Sequence, residues 1–97
     1  MTGYRFLPEA RRDLASAVSW YDSEFPDLGQ ELAREAQRLC VLISESPLAG
    51  AEVRPGIRRR LLRRFPYAIL YSRDSVGVLV IAVMHQRRRP DHWQRRL

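Results

Sequence analysis

The sequence predicts an α+β domain of order β-α-α-β-β-β, a helical hairpin packed on one face of a mostly antiparallel four-stranded sheet. Three observations carry this. Apolar residues recur twice at helical spacing between residues 10 and 43, and then gather into strand-sized runs between 57 and 84. A stretch with two Pro and two Gly, residues 46–56, separates the two regimes. A chain of 97 residues has room for one hydrophobic core, so residues 1–97 form a single domain.

Tyr4-Arg5-Phe6-Leu7 reads as a short extended segment stopped by Pro8, which suits a first helical turn because its missing N–H is an orphan there anyway. Ala10, Leu14, Ala17, Val18, Tyr21 and Phe25 then fall on one helical face, with Glu9, Arg12, Asp13, Ser16 and Ser23 largely off it. Pro26 breaks this helix. Asp27 is placed to cap a second one, with Gln30 completing a box-like start, and Leu28, Leu32, Ala36, Leu39, Cys40 and Ile43 form its stripe. So short a break predicts an antiparallel hairpin, ending near Glu45 because Pro47 follows. Residues 46–56 read as a loop. Three strand-like runs come next: Ile57 to Phe65, dense in Arg; Tyr67 to Tyr71; and, after a turn at Arg73-Asp74-Ser75, Val76 to Met84. The last is apolar on both faces and is expected in the middle of the sheet. The sheet face away from the helices is expected to be open, a place where the Arg-rich strand and the tail converge. One helical turn is expected after Pro90. Because the apolar stripes lie upstream, removing Asp91 to Leu97 is expected to leave the fold intact.

All 17 basic residues are Arg, Lys is absent, and the net charge is +6. Arg is a permanent cation that grips phosphate or carboxylate through a planar fork and is a poor general base. The surface therefore suits a polyanion or an acidic partner, and any proton transfer falls to other residues. One cysteine, Cys40, excludes an internal disulfide, and its place in an apolar stripe reads as a buried structural thiol. No leader pattern opens the chain, and Val76 to Met84 is too short to span a bilayer, so a cytoplasmic protein without a membrane partner is expected.

Two Arg clusters stand out: Arg58, Arg59, Arg60, Arg63 and Arg64, and then Arg87, Arg88 and Arg89, echoed by Arg95 and Arg96. Strand alternation puts Arg58, Arg60 and Arg64 on one face with Leu62. A charged edge strand kept from aggregating explains the first cluster as well as an anion-binding face does. Two clusters far apart in sequence, yet brought together by a meander, favour binding. His85 closes the apolar strand and leads into the second cluster, where it is either an acid/base group or a hydrogen-bonded strand-end residue. His85 and His92 have no Cys or acidic partners at ligand spacing, so no metal and no cofactor is expected. Trp93 is either the lid of a small core or a contact for a target. No phosphate loop or Ser/His/Asp arrangement is present.

Pro8-Glu9-Ala10, Asp13-Leu14, Trp20-Tyr21, Leu28-Gly29 and Glu35, followed by Arg63 to Tyr71, Val80 to His85, Arg87-Arg88 and Pro90, resemble the RelE/ParE toxin superfamily over nearly the whole chain. The resemblance implies a type II toxin neutralised by a cognate, ParD-like antitoxin in a hetero-oligomer. The superfamily divides into ribosome-dependent mRNA endoribonucleases and proteins associated with inhibition of DNA gyrase. The chain has no Lys and no Tyr after residue 71, both common in the nucleases, which favours the ParE-like, gyrase-inhibiting branch. Target or anion contacts are then expected from Arg58, Arg60, Arg64, Arg87, Arg88, Arg89 and Trp93. In the nuclease alternative, Arg64 and Arg87 hold the scissile phosphate on a ribosome-bound mRNA and His85 transfers the proton. A third reading is a plain nucleic-acid-binding module whose Arg clusters sit on phosphates.

Overall fold

A computed structural model describes residues 3–87 and 90–96. The elements run β1 (Tyr4–Phe6), α1 (Pro8–Glu24), α2 (Leu28–Glu45), β2 (Ala51–Arg54), β3 (Ile57–Leu61), β4 (Tyr67–Asp74), β5 (Gly77–His85) and a C-terminal 3-10 helix (Pro90–Arg96). The strands form one sheet in the order β1-β5-β4-β3-β2, antiparallel except that β1 runs parallel to β5. The expected α+β hairpin-on-sheet architecture is present, with five strands in place of four.

The extra strand is β2, inside the segment read as a loop. Ala51–Arg54 pairs with β3 and is joined to it by Pro55-Gly56. Gly56 has φ 80°, the left-handed position that follows Pro in a type II turn. Gly50 closes the other end of this segment through Tyr71. The buried phenol accepts from the Gly50 N–H at 3.2 Å and donates to the Pro47 carbonyl at 2.7 Å.

Pro8 opens α1 as expected, after an extended Leu7. The expected cap of α2 is not made. Asp27 sits at φ 68°, and no side chain caps the helix from there. Turning the chain from Phe25 to Leu28 places Asp27 in the left-handed region, which Asp tolerates better than most residues. The carboxylate that serves α2 comes from the other helix: Asp22 Oδ1 accepts from the Gly29 N–H at 2.8 Å. Gly29 is where α2 approaches α1 closely; a Cβ there would overlap the Val18 carbonyl oxygen and lie 2.5 Å from the Asp22 carboxylate.

The hairpin packs mainly over β1 and β5. Its core joins Ala10, Ala17, Leu32, Ala36, Leu39, Cys40 and Ile43 to Ile69, Tyr71, Val78, Val80 and Val83 from the sheet. Burial pushes the Cys40 thiol up to about 12, so it stays protonated and inert at neutral pH.

The other face of the sheet is not open. Ile57, Ala68, Leu70, Ile81, Ala82 and Met84 form a second, smaller core, and Trp93 from the 3-10 helix lies over it with 2 % of its surface exposed. β4 and β5 are apolar on both faces, and water on the second face would cost the burial of these side chains. Trp93 makes the tail part of the fold, so removing residues 91–97 would uncover this second core rather than leave the fold untouched.

Candidate functional site

The bulge in β5 decides what the end of the sheet presents. Leu70 pairs with Ala82 and Tyr71 with Val80, so Ile81 is the extra residue. Val78 and Val80 face the helices, Ile81 and Ala82 both face the second core, and Val83 returns to the helix side. A bulge shifts side-chain parity by one. His85, paired with Tyr67, thus lies on the helix side, with the two rings edge to face at 5.3 Å between centroids. Without the bulge it would point the other way. The continuous apolar run hides this from the sequence, because neither face is marked by polar residues.

His85 Nδ1 accepts from the Arg87 backbone N–H at 3.1 Å. In the neutral ring the proton is then on Nε2. The ring borders a cleft of about 350 Å³ between α1 and β5, lined also by Arg12, Asp13, Ser16, Trp20 and Tyr67. This cleft runs along the part of β5 that β1 leaves unpaired, since β1 reaches only Val80 and Leu7 donates to the Val80 carbonyl. Two side chains occupy that free edge. Asp13 Oδ2 accepts from the Val83 N–H at 3.1 Å, and Arg96 Nη1 donates to the Ile81 carbonyl at 3.0 Å. Arg96 also pairs with Asp13, and this hydrogen bond to the carboxylate raises its own already high pKa.

The expected Arg set does not form one patch. Arg58 and Arg60 share a face as alternation requires, on the helix side of β3, opposite Tyr71 and Ile69. Arg58 donates to the Leu48 and Gly50 carbonyls at 3.2 and 2.7 Å, which ties down the segment before β2. The strand ends at Leu61, and the next residues turn over α2. There Glu35 Oε2 accepts from the backbone N–H of Arg63 and of Arg64, while Arg64 Nη2 donates to Glu31 Oε1 at 2.7 Å. That hydrogen bond, with the Glu31 charge, raises the Arg64 pKa. Gln86 donates to the Pro66 carbonyl, so Arg64, His85 and Arg87 do lie at one end of the sheet. The Arg64 guanidinium is nonetheless held by α2. Arg88 and Arg89 lie outside the described residues. Trp93 is a core lid and offers no open ring face for a target.

The resemblance motif gains physical content here. Gly29 permits the close helix crossing, Glu35 receives the turn amides, and Asp13 holds the β5 edge. The sequence reading passed over Arg54 and placed Arg59 in the first cluster without expecting a contact from it; both border a second cleft on the Trp93 face. The Pro55-Gly56 turn was the signal for them, because a hairpin there sets Ala51 opposite Arg59 and Arg54 opposite Ile57. Among the described residues there is no group of three metal-binding side chains, and no helix is long and apolar enough to cross a membrane.

A family model described as the ParE toxin of the type II toxin–antitoxin system parDE matches residues 4–90. No match is found among curated proteins. The fold is similar to a solved chain titled as the chromosomal ParDE TA system from P. aeruginosa. The TM-score is 0.77 at 16 % identity, over 88 % of this chain and 96 % of that one.

Proposed function

Since the chain belongs to the ParE toxin family of type II toxin–antitoxin systems, we propose that it halts growth in the cytoplasm by binding and inhibiting DNA gyrase. A cognate, ParD-like antitoxin would neutralise it in a hetero-oligomeric complex; the similar chain from P. aeruginosa comes from such a ParDE system. The observation that carries the inhibitor reading is that the nuclease set, though gathered at one end of the sheet, does not converge on one point. Stabilising a phosphodiester transition state needs cations preorganised on the reacting atoms. Arg64 instead forms an ion pair with Glu31, and Arg87 meets His85 through its backbone N–H. A binding inhibitor has no such requirement. A second reading, a ribosome-dependent endoribonuclease, draws on one feature: His85, its Nδ1 already taken, borders the cleft between α1 and β5 with Tyr67 against its ring. Plasmid supercoiling by purified gyrase, with and without the chain, separates the two when run beside cleavage of ribosome-bound mRNA. Loss of supercoiling, reversed by the antitoxin, with intact message is the expected result. Cut message with unimpaired gyrase would overturn the proposal.

A further inference from the structure

The second cleft, about 230 Å³, opens on the Trp93 face between the β2–β3 hairpin and the 3-10 helix. Ala68, Leu70 and Met84 floor it, Val53 and Arg59 form one side, and Trp93 and Gln94 the other. Its size suits one large side chain rather than a whole small-molecule ligand. The charge around it is one-sided: Arg54 and Arg59 line it, and among the described residues no carboxylate does. Four cations elsewhere are held by partners. Arg5 pairs with Asp74, Arg64 with Glu31 and Arg96 with Asp13, while Arg58 serves carbonyls. Arg59 makes no described ion pair or hydrogen bond to a side chain. Arg54 has only a neutral partner: turned so that its amide oxygen faces the guanidinium, Gln94 accepts from Nη2 at 2.6 Å and Nε at 3.2 Å. That contact bridges hairpin and tail, and it fixes one wall of the cleft without neutralising it.

We propose that this cleft is the docking site for a segment of the toxin's protein target, seating one large apolar side chain beside a carboxylate held by Arg54 and Arg59. The inference rests on the reading that the toxin acts by binding a protein. An apolar anchor in a small pocket with charge-assisted contacts at its rim is how a few residues come to dominate an interface. The walls argue for a peptide over a nucleobase. Single-strand recognition stacks successive bases on exposed aromatic rings. Here the floor is aliphatic and thioether, and the one aromatic ring is buried edge and face.

The probe is the tripeptide acetyl-Asp-Phe-Glu-amide, added to the isotope-labelled full chain and followed by NMR. An adenine oligonucleotide and the Ala-for-Phe tripeptide serve as comparison probes. Shifts confined to Val53, Arg59, Ala68, Leu70, Met84 and Gln94, absent with the Ala peptide, are expected. Arg59→Glu should weaken the tripeptide about tenfold or more, whereas Arg34→Glu on the exposed side of α2, an equal change in charge, should cost about twofold at most. Val53→Glu gives a second block should Arg59→Glu lose spectral dispersion. Equal loss in the Arg59 and Arg34 variants, no shifts at the cleft, or occupation by the oligonucleotide alone would each overturn the proposal. Gyrase inhibition is scored separately. A wild-type chain that binds the tripeptide in the cleft yet leaves gyrase active refutes gyrase as target and not the cleft.

Discussion

Arg96, the last residue of the C-terminal 3-10 helix, grips Asp13 of α1 with both guanidinium nitrogens, Nη1 at 2.6 Å and Nη2 at 3.0 Å. The pair is 12 % and 18 % exposed, and each member also takes a backbone group of β5. An unpaired strand edge invites another chain. Here the free half of β5 is closed by side chains, while β1 is short and runs into Pro8, and β2 is bulged and runs into Pro55. A helix laid against the surface is therefore the antitoxin mode that this sheet favours over strand addition.

Breaking the pair from either side should strand a mostly buried charge. Arg96→Ala is expected to cost about 3 kcal/mol, read as a lower urea midpoint at unchanged slope. Asp13→Asn should cost a similar amount, and the double variant should cost less than the sum of the two. Additive losses would mean that the two residues act independently and that the clamp is not a unit.

Much of the fold was legible because its causes are local. Pro8, the stripes at Ala10–Phe25 and Leu28–Ile43, and the apolar run before His85 each mark an element by spacing alone. What escaped was set by tertiary demands. Asp27 looked like a cap, but the tight turn required its backbone, and Asp22 on the neighbouring helix took the role. Trp93 and Arg96 belong to a sheet face that the sequence marks as apolar only if both faces of β4 and β5 are counted. The orientation of His85 depends on a one-residue bulge inside a run with no polar residue to reveal it. The Arg clusters were visible, but their partners, Glu31, Glu35 and carbonyls, are fixed only in three dimensions.

Gly29→Ala reverses the usual helix rule. In an exposed helix interior Ala is favoured over Gly by about 1 kcal/mol. At position 29 the added methyl meets the Val18 carbonyl and the Asp22 carboxylate, and that carboxylate is the acceptor for the Gly29 N–H. The substitution should destabilise the domain, with the two helices forced apart. Asp22→Ala, which removes only the cap, should cost about 1 kcal/mol. A melting temperature for Gly29→Ala at or above that of wild type would show that the helices separate freely.

Asp74 predicts an acid limb. Its pKa is lowered first by the hydrogen bond from Arg5 and then by that from the Val76 N–H; the Gly77 N–H and the Arg5 charge add to this. A carboxylate with a lowered folded pKa contributes stability above its ordinary value, near 4, and loses it as pH falls through the lowered one. Neutral pH therefore holds the full contribution. Below about pH 4 the β4–β5 turn and its tie to β1 should loosen. Denaturation midpoints measured from pH 7 to 2 should fall more steeply for wild type than for Asp74→Asn, and parallel curves would remove Asp74 from the account.

His85→Gln separates inhibitor from nuclease. Proton transfer by a positioned side chain is worth ~10²- to 10⁴-fold in rate, so a nuclease that relies on the His85 ring would be nearly silenced. A binding inhibitor loses at most the acceptor for the Arg87 N–H and the ring contact with Tyr67, about 1 kcal/mol. Arg64→Ala and Arg87→Ala cannot make this distinction, because both mechanisms draw on the cationic end of the sheet. With controlled expression, His85→Gln is expected to keep most of its toxicity. Cells should filament and induce DNA repair while bulk mRNA stays whole. Site-specific cleavage of ribosome-bound message by the wild-type chain, lost in His85→Gln, would make the protein an enzyme and place its chemistry in the cleft between Tyr67 and α1.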